Sequence, residues 1–386
     1  MDTHQKFLNR VVSRALFVAA GIILLLMPVF AEFQEGQTEV PQTGVEIYLY
    51  ACANCHGMDG KGRSQSRLGF SVPLPDFTDC DFTVREPDSD WVAVTVQGGP
   101  SRGFSELMPA FGKVLTVEQI EKAVRHIRTF CTDHNWPAGE LNLPLPLFTE
   151  KAYPEDEAIV TASVSEDIDQ ISGEFIYEQR FGPRNQVEIK VPFGWSQMTV
   201  LGEPDQKTDW ASSLGDVAVG VKRAIFHNWK RGSIFSAAAE IVLPTGDEAR
   251  GFGKGTFVFE PFISFGQILS AEFFIHSQAG LEIPAKTENA ENEAFFRLVL
   301  GRTFTSGSWG RAWSPMIELL ASRELVSGEK INWDVVPEIQ VTLNKRQHIM
   351  FNIGVRIPVN NTSGRNVSIA AYLLWDWFDG GFFEGW

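Results

Sequence analysis

From about residue 157 to its end the chain alternates apolar and polar residues with a period of two, and no helical period interrupts it. This pattern constrains the fold most, because successive side chains of a strand point to opposite faces of a sheet. Across 187–193, Val187, Ile189, Val191 and Phe193 are apolar while Glu188 and Lys190 are charged. Across 331–343 the odd positions are apolar against Asn332, Asp334, Glu338, Gln340 and Thr342. Residues 349–359 and 367–377 repeat the pattern. About twelve such segments can be counted, centred near residues 161, 176, 188, 220, 238, 260, 276, 298, 317, 337, 353 and 371. Polar or Gly-rich turns separate them. The second half is all-β.

Such a sheet is either a soluble sandwich or an outer-membrane barrel. Several segments run ten or more residues, matching the roughly 9–11 that cross a bilayer at a tilt, whereas ordinary strands average nearer six. Aromatics gather near strand ends, at Phe181, Phe193, Trp195, Phe226, Trp229, Phe304, Trp309, Trp375, Trp377 and Phe378, where membrane girdles belong. Lys190, Arg297, Glu338 and Arg356 fall opposite the apolar set, as a polar lumen requires. An even strand count closes the sheet without an edge. The expectation is a closed antiparallel outer-membrane barrel over 156–386, with a periplasmic sandwich as the alternative.

The N-terminus supplies the compartment. Lys6, Arg10 and Arg14 precede an apolar run over 15–30, and Val29 and Ala31 form a small-x-small cleavage site. Residues 1–31 therefore read as a signal peptide, against an uncleaved anchor helix. No other run approaches the length of a membrane-spanning helix. The net charge of −15 over 386 residues makes a nucleic-acid backbone an unsuitable partner.

Between export signal and sheet, Cys52-Ala53-Asn54-Cys55-His56 is the C-x-x-C-H attachment signature of c-type haem. Two thiols three positions apart reach the two vinyl groups of one porphyrin, and His56 falls under the iron. A chance match or a redox dithiol is the alternative. Residues 44–50 read as a leading helix, with Gly57, Gly60 and Gly62 as a mobile loop after the motif. Thr116 with Gln119 forms a capping box for a last helix reaching about Phe130. Cys80 and Cys131 remain, and in an exported chain two leftover cysteines pair or stay as buried thiols. Pro137, Pro144, Pro146 and Pro154 mark 133–155 as a semi-stiff linker.

Residues 40–132 resemble monohaem class I cytochromes c, a small all-α domain, through C-x-x-C-H, the following His56-Gly57-Met58-Asp59-Gly60-Lys61-Gly62, the later Met108-Pro109 and the closing helix. The resemblance implies one covalent haem c. It also implies a methionine sixth ligand on the loop before the last helix, where Met108 stands. Met58, His126 and His134 are its competitors. A His/Met iron has no vacant position and a raised potential, which suits electron transfer.

The sheet half resembles outer-membrane barrels of the meta-pathway phenol-degradation type. The matching residues are Leu214-Gly215-Asp216-Val217-Ala218-Val219-Gly220-Val221-Lys222, Leu243-Pro244-Thr245-Gly246-Asp247 and Gly251-Phe252-Gly253-Lys254-Gly255. The family's ascribed role is transport of hydrophobic or aromatic compounds. The C-terminus departs from the usual terminal strand, because Asp379-Gly380-Gly381 precedes the aromatic Trp386. Gly251–Gly255 lacks the ending of a phosphate loop and reads as a mobile turn. Glu150 and Glu155 show no paired acid–base spacing. The sequons Asn361-Thr362-Ser363 and Asn366-Val367-Ser368 are short enough to arise by chance. No catalytic constellation is present.

Together these readings lead to an outer-membrane-anchored c-type cytochrome that carries electrons in the periplasm. Its barrel acts as a channel or docking sleeve. Its partners are then periplasmic donor or acceptor proteins, outer-membrane lipid and a small solute in the barrel. The alternatives are a transporter with an accessory haem domain and a soluble periplasmic haem redox enzyme.

Overall fold

The computed structural model describes residues 42–64, 68, 74–165, 170–197, 199–200, 203–207, 209–306 and 311–377. These residues belong to one compact unit. The signal peptide expected at 1–31 lies outside the described residues, as do Trp309, Phe378 and the tail with Asp379 and Trp386.

The N-terminal part is helical. Helix α1 (Gly44–Ile47) begins at Thr43, whose hydroxyl accepts from the Glu46 amide while Glu46 returns a bond to the Thr43 amide. A π turn over Tyr48–Cys52 leads directly into α2 (Ala53–His56), which Gly57 ends at φ 76°. Helix α3 (Cys80–Thr83) is capped by Asp79 and α4 (Asp88–Gln97) follows Pro87. Helix α5 (Val117–Ile127) has the expected Thr116–Gln119 capping box and tightens into a 3-10 turn over Arg128–Phe130. Gly44 lets α1 cross α5 closely, since a Cβ there would lie 2.2 Å from the Lys122 carbonyl oxygen. Ile47, Leu115, Ile120, Ala123 and Val124 form the core of that crossing.

The remainder is a barrel of twelve antiparallel strands among the described residues. They are β1 (Glu157–Ser165), β2 (Gln170–Phe181), β3 (Asn185–Ser196), β4 (Ala218–Asn228), β5 (Ser233–Val242) and β6 (Val258–Ile268). They continue as β7 (Phe273–Pro284), β8 (Glu293–Arg302), β9 (Arg311–Glu324), β10 (Asn332–Thr342), β11 (Ile349–Pro358) and β12 (Ser368–Asp376). Each pairs with its sequence neighbours, and β1 also pairs with β12, Glu157 opposite Asp376 and Ser165 opposite Ser368, so the ring closes. A sandwich is thereby excluded. The upper part of β3 pairs with the short strand Ala211–Leu214 and its lower part with β4. Pro192 lies at the break, and its carbonyl accepts from the Gly215 amide at 2.8 Å. Among the described residues no helix is long and apolar enough to cross a membrane.

The alternation sorts as expected. Val187, Ile189, Val219, Ile263, Ile317, Ile339, Ile353 and Leu373 are exposed on the outside, whereas Glu178, Glu188, Glu318, Glu338, Gln340 and Asn352 are buried inside. Phe181, Trp195, Phe226 and Trp229 lie half-exposed on the outer surface. Trp377 departs from the girdle reading. It lies one residue beyond β12, its amide donates to the Asp156 carbonyl, and its ring packs on Tyr177, so it is buried.

The Pro-rich stretch also departs from the expected linker. Residues 141–156 enter the lumen, approach its middle near Glu150 and return to begin β1. Proline removes amide donors from this segment, and the barrel wall accepts from several of those that remain. Glu338 Oε2 accepts from the Leu147 amide at 2.9 Å, Glu318 Oε1 from Phe148 at 3.0 Å, and Gln278 Oε1 from Glu150 at 3.1 Å. Wall donors meet its carbonyls: Asn352 and Tyr372 bond to Leu145, His276 to Pro144 and Arg297 to Phe148. Glu150 pairs with Lys190 at 2.7 Å. Pro spacing marks an extended chain in the sequence, but it carries no sign of the wall that receives it.

Candidate haem site

The motif residues sit on the last turn of the leading helix, where Tyr48 anchors the turn that follows. The Tyr48 ring is fully buried and its hydroxyl donates to the Gly57 carbonyl at 2.6 Å. The loop after the motif is packed rather than mobile. Gly62 donates to the His56 carbonyl at 2.8 Å, Arg63 to Cys55 at 2.9 Å and Phe77 to Gly60 at 2.7 Å. Phe77 stacks on the His56 imidazole at 4.8 Å and touches Trp91 at 5.3 Å. Arg128 lies over the Trp91 ring, 4.6 Å from its centre, and pairs with Asp88 at 2.8 Å.

Cys52, Cys55, His56 and Met108 all line one mainly apolar cavity of about 280 Å³, with Phe77, Trp91 and Val94 among its walls. This is the donor set the sequence singled out, brought to one place. Burial holds the His56 imidazole down to about 4, so it is neutral at pH 7 with a lone pair available to a metal. Its Nδ1 is buried without a hydrogen-bond partner. Burial, with the Cys55 charge adding to it, pushes the Cys52 thiol up to about 11. Two unpaired cysteines, a neutral imidazole and a thioether around an apolar cavity fit haem c.

The competing ligands lie elsewhere. Met58 is exposed, His134 is exposed beyond the last helix, and His126 packs between Tyr48 and Phe130. None of the three lines the cavity. Cys80 and Cys131 form a disulfide with Cα atoms 5.0 Å apart, tying α3 to the end of the last helix.

The site continues into the barrel, which the sequence did not signal. Arg102 is buried, pairs with Asp90 at 2.9 Å and lines the cavity. Arg346, from the turn between β10 and β11, lines it as well. Further contacts hold the helical part at this mouth of the barrel: Arg85 pairs with Asp156, and Arg184 donates to the Asn135 carbonyl at 3.0 Å. Glu140 accepts from the Asp88 amide at 3.1 Å, and burial followed by the Asp88 charge holds its carboxyl above the ordinary 4.5.

The three barrel motifs meet at the opposite end. Asp216 accepts from the Gly246 amide at 2.8 Å and the Lys254 amide at 2.6 Å, while Thr245 Oγ1 accepts from Val217 at 2.9 Å. The glycine-rich segment is thus fixed at Gly253-Lys254, although Gly251 has open space around it.

Comparison with known proteins agrees with this division. Residues 39–127 match the family model for cytochrome c oxidase, cbb3-type, subunit III, and residues 160–366 match that for the MetA-pathway of phenol degradation. Among solved structures, an outer membrane channel from Pseudomonas putida F1 is similar at 12% identity over 61% of this chain and 100% of that one, with a TM-score of 0.45. The KdgM porin in complex with disordered oligogalacturonate is similar at 8% identity over 57% and 99%, TM-score 0.38. The KustC0563 c-type cytochrome shares 26% identity over 24% of this chain and 100% of its own, TM-score 0.20. No curated protein matches the chain.

Proposed function

Since the chain belongs to the MetA-pathway phenol-degradation family of outer-membrane barrels, with a c-type cytochrome domain ahead of the barrel, we propose that it is an outer-membrane-anchored electron carrier. Cys52 and Cys55 would hold one haem through thioethers, and His56 and Met108 would supply its iron ligands. The observation that carries this reading is that those four side chains line one mainly apolar cavity. Haem c supplies one-electron iron chemistry there. The protein's residues supply the rest: the thiols fix the ring, Phe77 orients the imidazole, and Trp91 and Val94 exclude water.

The cytochrome sits at the barrel end with the short connections 182–184, 229–232 and 269–272. The opposite end carries the longer 197–217 and 243–257. Short turns face the periplasm in outer-membrane barrels, so the haem belongs on that side, within reach of periplasmic donors and acceptors. The lumenal segment 141–156 supports a sleeve that holds the cytochrome rather than an open channel. The test is a gel of the outer-membrane fraction, unboiled and boiled, stained for covalent haem. A haem-positive band that shifts on boiling is expected. A haem band confined to the soluble fraction, or none at all, overturns the reading.

A further inference from the structure

We propose that the barrel is part of the haem site itself. Arg346 and Gln347, in the turn between β10 and β11, are positioning residues for the loop that carries Met108, so the docked barrel sets the ligation and potential of the iron. This inference rests on the haem reading above.

The argument begins with the loop. A 3-10 turn over Gly99–Arg102 ends at Gly103, whose φ of 72° reverses the chain. The loop then closes on itself: Gly99 donates to the Met108 carbonyl at 3.0 Å, Phe104 to Gly99 at 2.9 Å and Met108 to Ser105 at 3.1 Å. Phe104, Ser105, Glu106 and Leu107 are exposed, so this loop has little core of its own. A loop with few buried apolar contacts takes its position from whatever clamps it.

The clamp comes from the barrel. Arg346 Nη2 donates to the Gly103 carbonyl at 3.1 Å, and its guanidinium lies 4.6 Å from the Phe104 ring centre. Gln347 Nε2 donates to Asp90 Oδ1 at 2.9 Å, the same oxygen that accepts from Arg102 at 2.9 Å. Asp90 lies on α4, which also lines the cavity. The barrel turn therefore grips both the methionine loop and the helix beside it. A planar guanidinium that stacks and donates at once gives a geometry that an ammonium cannot reproduce.

Two consequences share a sign. A cation at the cavity edge stabilises the reduced iron, and a methionine held in place raises the potential. Removing Arg346 therefore lowers the potential, by roughly tenfold in the reduction equilibrium, about 59 mV for one electron. Only the positioning role also opens the sixth position.

The test uses the detergent-purified full chain with haem, comparing wild type with Arg346→Ala, Arg346→Lys and Phe104→Ala. Heat-shifted mobility establishes that each barrel is folded. The readouts are the potential, the red charge-transfer band of thioether-ligated ferric haem, and carbon monoxide uptake by ferrous haem. Arg346→Ala is expected to lower the potential, weaken the band and admit carbon monoxide, with Arg346→Lys intermediate. Phe104→Ala, which leaves the barrel intact, should reproduce the loss of the band. An unchanged band and continued carbon monoxide resistance in Arg346→Ala overturn the proposal even if the potential falls, because charge alone would do that. A wild type without the thioether band overturns the haem reading beneath it.

Discussion

Gly60 sits at φ 77°, and a Cβ there would lie 2.8 Å from the Phe130 ring, so the turn after the haem motif depends on its lacking a side chain. Gly60→Ala should cost about 1–3 kcal/mol in denaturant unfolding of the cytochrome domain. Met108 and His134 invite a direct contrast. Met108→Ala should lower the potential and admit carbon monoxide, whereas His134→Ala, at an exposed position outside the cavity, should change neither. Glu140 provides a pH test, with Asp88 and Arg128 as the charges facing it. Its folded carboxyl lies above the ordinary 4.5, so its contribution is fully present below that pH. As pH rises, the unfolded chain ionises first, and stability falls until the folded group ionises too. Glu140→Gln should remove this slope, read as the cytochrome melting temperature between pH 4 and pH 7. A slope identical to wild type would exclude Glu140 as its source.

The capping box of α5 was legible because its chemistry is local: Thr116 and Gln119 stand three residues apart and bond to each other's amides at 3.2 and 2.9 Å. Thr116→Ala should cost about 1 kcal/mol, measured by the same unfolding. The Cys80–Cys131 disulfide spans 51 residues, which the loop-entropy account values at about 4 kcal/mol. Replacing both cysteines with serine should lower the stability of the cytochrome domain by up to that amount. The strands were legible for a similar reason. In β10, Asp334, Glu338, Gln340 and Thr342 are buried while Ile339 is exposed, a parity set by the pleat alone.

The whole molecule holds what the elements do not reveal. Residues 141–156 lie inside the barrel, where Glu318 receives the Phe148 amide and the Thr149 hydroxyl and Glu338 receives the Leu147 amide. A barrel so filled should conduct at background level in planar bilayers. Combined Glu318→Ala and Glu338→Ala leave buried amides without acceptors, each costing about 1–3 kcal/mol, and should produce open-conductance steps. Large open conductance from the wild type would contradict the sleeve.

The sequence by itself singled out Cys52, Cys55, His56 and Met108 as candidate haem ligands, and it marked the helical caps and the twelve alternating strands. Each rests on neighbours in the chain or on a fixed period, so short-range geometry suffices. Tertiary structure decided the rest. The Pro-rich segment became a lumenal strap because wall carboxylates more than 160 residues away in the chain accept its amides. Trp377 left the girdle because Tyr177 of a distant strand covers it. Arg346 reached the haem cavity across 243 residues of chain to Gly103. Such contacts depend on how the closed ring brings remote residues together, and no local pattern encodes that distance.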